Sequence, residues 1–243
     1  MKAKKSLGQN FFINKNLGDY IINTLKDTEC DSVIEIGPGM GFFTEKLSTV
    51  FKNITVIEKD TELARTLQFQ FPDIKVLNED FLNLDLDSLL NTEVSFFGSL
   101  PFNVSKPIIR KIIEDKHFTK KSFFIVQKEV AEKYIYKQPY SSLSLTTHIY
   151  ADCKKIIDIS PDSFRPKPNV TSSLISFTPN RKVDNKDIPI LEDLINRSFK
   201  QPRKNIFNNL RGSQFEKGLN TFKTLRPAQL SLDEFIQIYK YSL

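Results

Sequence analysis

The sequence predicts an α/β fold: a mostly parallel sheet with an antiparallel edge, followed by a small C-terminal helical domain. Three observations carry this prediction. Short apolar runs rich in β-branched and aromatic residues alternate with stretches of helical periodicity as far as Gln127, the pattern of a parallel sheet buried between helices. The run Ser32-Val-Ile-Glu-Ile-Gly-Pro-Gly-Met-Gly41 joins one such strand to a helix through three glycines at alternate positions, which is the first half of a βαβ unit. Beyond Pro179 no strand pattern competes with short amphipathic helices. The composition shift there sets a boundary near residue 180, giving domains of 1–180 and 181–243.

Taken in order, the chain begins with a basic stretch, Met1 to Lys5, and then Ser6-Leu-Gly-Gln-Asn-Phe-Phe-Ile13. This segment mixes amides and aromatics, and reads either as a basic tail with a hydrophobic anchor or as a lid over a ligand. Leu17, Tyr20, Ile21, Ile22 and Leu25 recur at helical spacing, with Asn14 or Asn16 as N-cap. After the strand around Val33 and Ile34 and the glycine turn, Phe43, Leu47 and Val50 form one helix face. Ile54 to Glu58 is a second strand, and Asp60 caps a helix carrying Leu63, Ala64, Leu67 and Phe71. Ile74 to Leu77, Val94 to Phe97 and Ser122 to Gln127 are the next three strands, the last leading into a charged helix from Lys128. His148 to Ile159 and Ser172 to Phe177 are expected as two further strands at the sheet edge, separated by a stiff proline loop, Pro161 to Asn169. The C-terminal helices are expected over Ile188–Phe199, Arg203–Leu210 and Ser231–Tyr241, the last opened by a capping box of Ser231 and Glu234.

Composition narrows the function classes. At 243 residues with 40% hydrophobic content and 21 Phe, the chain can build a sizeable core. Net charge is +6 with a pI near 9.1, which favours an anionic partner. The two cysteines, Cys30 and Cys153, lie far apart, and the two histidines complete no ligand spacing, so no metal site is expected. Reduced thiols and a cytoplasmic location follow. No apolar h-region follows the basic start and no apolar run reaches spanning length, so no membrane segment is expected.

The glycine turn identifies the ligand class. Glycines let backbone approach a ligand closely, but the spacing here departs from the phosphate-cradling G-x-G-x-x-G, and Pro38 removes an N–H that a phosphate would use. Glu58 ends the next strand about 20 residues on, where a carboxylate accepts ribose hydroxyls. A ribose without phosphates fits S-adenosyl-L-methionine. Asp80, at the end of the third strand, either caps the following turn or meets the amino group of an adenine, with Phe81 packed on the ring.

Ser99-Leu-Pro-Phe102, after the fourth strand, is the second informative stretch. Methylating an exocyclic amine requires acceptors aimed at its N–H groups, which stabilise the positive charge that develops on nitrogen. Ser99 supplies one acceptor, the carbonyl of Leu100 or Pro101 another, and Phe102 stacks on a flipped base. Arg197 to Arg211 holds five basic residues and no acid, interrupted by Phe199 and Phe207; it is either a solvated helix face or a phosphate-binding surface.

Lys5-x-x-Gly-Gln-Asn-Phe, Ile34-Glu-Ile-Gly-Pro-Gly-x-Gly-x-x-Thr44, Val56-Ile-Glu58, Glu79-Asp80, Gly98-x-Leu-Pro-Phe-Asn-Val-Ser105, Gln127-Lys-Glu129, Phe164-x-Pro-x-Pro-x-Val170 and Phe199-x-x-x-Arg-Lys-x-x-x-Asn-x-Leu210 together resemble the ribosomal RNA adenine dimethyltransferases. The resemblance covers most of the chain. It implies a Rossmann-like S-adenosylmethionine-dependent methyltransferase sheet, and its details are closest to the small-subunit enzymes that dimethylate adjacent adenines near the rRNA 3′ end. It further implies that Asn10, Phe12, Gly37, Glu58, Asp80 and Ser99 line the cofactor site; by the residue readings above, Gly39 is expected there too, Ser99, Leu100, Pro101 and Phe102 are expected to form the catalytic turn, and Arg165, Lys167, Lys200, Arg203 and Lys204 to bind rRNA. A monomer acting on small-subunit precursors is expected. The one departure is Ser99, where the family usually has Asn. A hydroxyl is shorter than an amide, so the rate or the second methylation is expected to suffer. The alternatives are a large-subunit enzyme conferring macrolide resistance and a non-catalytic nucleic-acid-binding factor on the same fold.

Overall fold

The computed structural model describes residues 9–90 and 92–243; Lys5 and Gly8, at the start of the N-terminal motif, lie outside the described residues. Seven strands form one sheet in the order β4 (Lys75–Leu77), β3 (Asn53–Ile57), β2 (Ser32–Ile36), β5 (Ser95–Ser99), β6 (Ser122–Gln127), β9 (Ser172–Pro179) and β7 (Ala151–Ile159), and two short strands form a separate ribbon. The central four, β2, β3, β5 and β6, pair in parallel, as does β4 with β3. β9 runs antiparallel to β6, and β7 is the edge. The ribbon pairs β1 (Phe11–Phe12) with β8 (Phe164–Arg165), which ties the N-terminal segment to the proline loop. The α/β expectation with its antiparallel edge is met.

Two compact units divide the chain. The first comprises the described residues up to Glu132 together with Lys154–Pro179; the second comprises Lys133–Cys153 and Asn180–Leu243. Residues 133–153, expected in the first domain, therefore group with the C-terminal helices. α6 (Lys128–Tyr134) and β7 run across the divisions.

In the first unit, strands buried on both faces need no alternation, so β5 and β6 read as continuous apolar runs. Phe96, Phe97, Phe123 and Phe124 are fully buried. One face is packed by α1 (Lys15–Leu25) and α2 (Phe42–Leu47), through Ile21, Ile22, Leu25, Phe43 and Leu47, which share a core with Phe97, Phe123, Ile125 and Leu174. Asn14 caps α1 by accepting the Leu17 N–H at 3.1 Å. Asp60 caps α3 (Thr61–Gln70), accepting from the Glu62 N–H at 3.0 Å.

Three helices go beyond the sequence expectation, the first being the single turn α4 (Leu86–Leu89), capped by Asp85. α5 (Ser105–Glu114) buries Ile108, Ile109, Ile112 and Ile113, and α7 (Ser142–Tyr150) occupies residues that include the start of the strand expected from His148. The Ser141/Ser144 capping box nucleates α7, and strand geometry begins only at Ala151. In the second unit, α7 packs with α8 (Ile188–Ser198) and α10 (Leu232–Ser242). α10 opens with the expected reciprocal bonds between Ser231 and Glu234. α9 covers only Ile206–Leu210, shorter than expected, because Asn205 is its N-cap.

Candidate functional site

The carboxyl ends of β2, β3, β4, β5 and β6 open onto one cleft in the first unit, the position where open parallel sheets bind ligands. The cleft encloses about 1150 Å³, its mouth included. Its walls bring together Asn10, Gly37, Gly39, Glu58, Asp80, Ser99, Leu100, Pro101 and Phe102, residues scattered over ninety positions of sequence and all expected at the site. Gln9, Phe11, Leu63 and Ser172 also line it and were not expected there.

Phe12 faces elsewhere. Its ring packs against Phe42, Phe43 and Phe164 with centroids 4.8–5.2 Å apart, and it is 5% exposed. Phe11, its neighbour in β1, is the aromatic that reaches the cleft, because successive strand residues point to opposite faces.

The glycine turn is built by backbone conformation. Gly37, Gly39 and Gly41 have φ of 67°, 59° and 80°, the left-handed region that L side chains avoid. At Gly37 no atom of the described residues lies within 4 Å of where a Cβ would stand, so the absence of a side chain opens the cleft floor. At Gly39 a Cβ would meet the Phe11 ring at 3.0 Å.

Glu58 is held between this turn and the next helix. It accepts the Gly39 N–H at 3.1 Å through one carboxylate oxygen and the Asp60 N–H at 2.8 Å through the other. Burial pushes its carboxyl above the usual range, opposed by those two backbone bonds. Each oxygen keeps a second lone pair for a ligand hydroxyl. Asp80 accepts from the Leu82 N–H at 3.0 Å and from Lys59 at 2.8 Å, and the Lys59 bond holds its carboxyl below the usual range. Capping and cleft lining, alternatives in the sequence, coexist in one side chain. Lys111 of α5 braces the same turn by donating to the carbonyls of Phe81 at 3.1 Å, Leu82 at 2.9 Å and Leu84.

At the end of β5, the Leu100 N–H is anchored on the Ile125 carbonyl at 3.0 Å. The Pro101 carbonyl already accepts the Val104 N–H at 3.1 Å, whereas the Leu100 carbonyl has no partner among the described residues. The backbone acceptor left open by this turn is therefore Leu100. Ser99 and Phe102 are half-buried on the cleft wall.

The basic residues are exposed. In the first unit Lys167 pairs with Asp162 at 2.6 Å, and Arg165 donates to the Phe164 carbonyl at 3.0 Å. In the second unit Arg197 is neutralised by Asp193 at 2.7 Å, while Lys200, Arg203 and Lys204 have no ion pair among the described residues. Among the described residues, no group of His, Cys, Asp or Glu is arranged to hold a metal, and no helix is long and apolar enough to cross a membrane.

The model of the family described as ribosomal RNA adenine dimethylase matches residues 1–242. Ribosomal RNA small subunit methyltransferase A of Francisella tularensis subsp. novicida is 34% identical over 99% of this chain and 97% of its own length. The protein of that name in Malacoplasma penetrans is 35% identical over 86% of this chain and 78% of its own. Among solved structures, the 23S rRNA methyltransferase ErmE covers 96% of this chain and 99% of its own at a TM-score of 0.77 and 21% identity. A dimethyladenosine transferase from Plasmodium falciparum covers 94% and 95%, also at 0.77, with 20% identity; at these identities the two establish the methyltransferase fold. With a family model spanning the sequence and relatives aligned over nearly its whole length, the chain belongs to the ribosomal RNA adenine dimethylase family.

Proposed function

We propose that the protein is an S-adenosylmethionine-dependent dimethyltransferase that converts two adjacent adenines near the 3′ end of small-subunit rRNA to N6,N6-dimethyladenine. It acts as a monomer on small-subunit precursors in the cytoplasm. The observation that carries this reading is the convergence of the Gly37/Glu58/Asp80 set and the Ser99–Phe102 turn on one cleft.

The open floor at Gly37 and the two available lone pairs of Glu58 suit a ribose, and Asp80 suits an adenine amino group. When bound, the cofactor supplies an electrophilic methyl group on a sulfonium. The protein's part is to hold the target nitrogen in line. Ser99 Oγ and the Leu100 carbonyl accept the two N–H groups of the exocyclic amine, which withdraws its lone pair from the ring and stabilises the charge that develops. Phe102 stacks on the extruded base. As methyl transfer proceeds the nitrogen loses a proton to solvent, and no nucleophilic side chain is required. For the second transfer one N–H remains, so the two acceptors share a single donor. Arg165, Lys167, Lys200, Arg203 and Lys204 hold the rRNA backbone, supplying affinity rather than base choice.

The test is to incubate the protein with labelled cofactor and immature small subunits and to map modified adenines. Two adjacent dimethylated adenines are expected. Modification confined to large-subunit rRNA would identify the resistance activity, and tight binding without transfer would identify a non-catalytic factor. Calorimetry supplies the second arm: Glu58→Ala should weaken cofactor binding about 10- to 100-fold, the worth of hydrogen bonds to a charged group.

A further inference from the structure

Ser172 stands out because its hydroxyl is unexplained. The residue is fully buried, its Oγ has no hydrogen-bond partner among the described residues, and it lines the cleft that holds Ser99–Phe102. Buried polar groups in native proteins are almost always paired, and an unpaired one is destabilising. An apolar residue would serve the fold better here unless the hydroxyl meets a ligand.

Strand register fixes which ligand end it faces. Ser99 is paired with Ile125, and Ile125 with Leu174, so these three share a face of the sheet. Gln127 is paired with Ser172 one step further along the same strands, and the period of two puts Ser172 on that face as well. Ser172 thus lies two strands across from Ser99 and two residues further along, a Cα separation of roughly 12 Å at ordinary strand spacing and rise, which the two side chains shorten where they lean towards each other over the cleft. It is on the β6–β9 side of the turn, whereas Gly37, Glu58 and Asp80 follow β2, β3 and β4 on the other side. Ser172 borders the half of the cleft remote from those residues.

We propose that Ser172 is a specificity-determining residue: its hydroxyl donates a hydrogen bond to a ring nitrogen of the adenine whose amine is held by Ser99 and Leu100. This rests on the reading of Ser99–Phe102 as the base-binding turn. The chemistry sets the direction of the bond. Of the polar edge groups of adenine only the exocyclic amine donates, and the turn consumes it; the ring nitrogens only accept. A base that offers a donor at the same edge, as the N1–H of guanine does, would confront the hydroxyl differently.

The experiment compares wild type, Ser172→Ala and Ser172→Thr on immature small subunits whose rRNA carries adenosine, 1-deaza-, 3-deaza- or 7-deazaadenosine at the methylated positions. Ser172→Ala should lower kcat/KM on adenosine about 10-fold or more, with cofactor affinity unchanged and thermal stability equal or raised, since an unpaired buried hydroxyl has been removed. Ser172→Thr, which keeps the donor, should retain more activity than the alanine variant. One deaza position should cost wild type a similar factor and cost Ser172→Ala nothing more. Equal kcat/KM for wild type and alanine variant, or deaza penalties undiminished in the variant, would overturn the contact. A parallel loss of cofactor affinity would place the hydroxyl on the cofactor and overturn it too. Absence of transfer by wild type on adenosine would overturn the underlying enzymatic reading, a result distinguishable from the others.

Discussion

Ser99 reaches less far into the cleft than the amide usual at this position in the family, and the turn around it offers one further open acceptor, the Leu100 carbonyl. Losing one well-placed group that stabilises developing charge costs about 10²–10³ in rate; a shortened one should cost less. Ser99→Asn is therefore expected to raise single-turnover methylation by about 10-fold, most for the second methyl, where a single N–H must be shared. Phe102→Ala should abolish transfer through loss of stacking. A Ser99→Asn variant slower than wild type at both steps would show that the cleft is fitted to the hydroxyl. Glu35 poses a different problem at the same scale. It is fully buried beneath the glycine turn, and burial pushes its carboxyl up to about 8 against the Thr44 hydroxyl bond at 2.6 Å. Between about 4.5, its unfolded value, and 8 the native state holds a proton that the unfolded chain has released. The contribution of Glu35 to stability is full below that window, falls as pH rises through it, and stays low above. Glu35→Gln keeps an acceptor for Thr44 and removes the titration. Its stability relative to wild type should rise by as much as about 1.4 kcal/mol per pH unit across the window; parallel denaturation curves from pH 5 to 9 would refute a protonated Glu35. Such residue-level detail was only partly legible in the sequence. Asn-Phe-Phe announces an aromatic at the cleft, but which Phe turns inward depends on a two-residue strand whose register is set by β8, a partner about 150 positions away.

The turn from Asp80 to Leu84 shows how one element secures another. Its carbonyls at Phe81, Leu82 and Leu84 converge on the ammonium of Lys111, which also lies 5.5 Å from the Phe81 ring centroid. α5 thereby positions Asp80 from below while its own start follows the Ser99–Phe102 turn, so one helix steadies two walls of the cleft. Lys111→Met keeps the aliphatic stem but leaves the Leu82 and Leu84 carbonyls without the ammonium, while that of Phe81 keeps the Leu84 N–H at 3.3 Å. It should lower stability by about 1–3 kcal/mol and weaken cofactor binding several-fold, while Lys106→Met, exposed one turn earlier, should do neither. Unchanged affinity in a less stable Lys111 variant would confine the lysine to folding. No helix is expected over 105–114 in the sequence analysis, although Ile108, Ile109, Ile112 and Ile113 have helical spacing and Pro107 falls in the first turn. In the first turn the missing N–H of proline has no intrahelical partner to lose. In α7 the pattern itself is ambiguous. Ser-Leu-Ser-Leu-Thr-Thr has the alternation and branching of a strand, and the structure resolves the ambiguity locally, through the Ser141 capping box and the Thr146 hydroxyl bonded back to the Ser142 carbonyl at 3.0 Å.

Across the whole molecule, the net charge of +6 is unevenly used. Many lysines are tied to acids: Lys52 to Asp31, Lys116 to Asp87 and Lys128 to Asp158, all at 2.7–2.8 Å. The stretch from Lys200 to Lys204 has no such partner among the described residues, and Arg211 follows it with none either. Cations that pair with carboxylates contribute little to a distant anion, so the unpaired ones should dominate counterion release on RNA. Each phosphate neutralised contributes roughly 0.7–0.9 to the slope of log affinity against log salt. Converting Arg203 and Lys204 together to Glu removes two contacts, so that slope should flatten by about 1.4–1.8. Affinity at low salt should fall more steeply than affinity at high salt, and cofactor binding, which uses the cleft of the first unit, should be untouched. Reversing Lys52 and Lys116, already neutralised by neighbours, leaves the net charge of the variant identical to that of the Arg203/Lys204 variant and provides the comparison. If both double variants flatten the slope equally, RNA responds to the total charge of the protein, and the 200–204 stretch has no special claim to the phosphates.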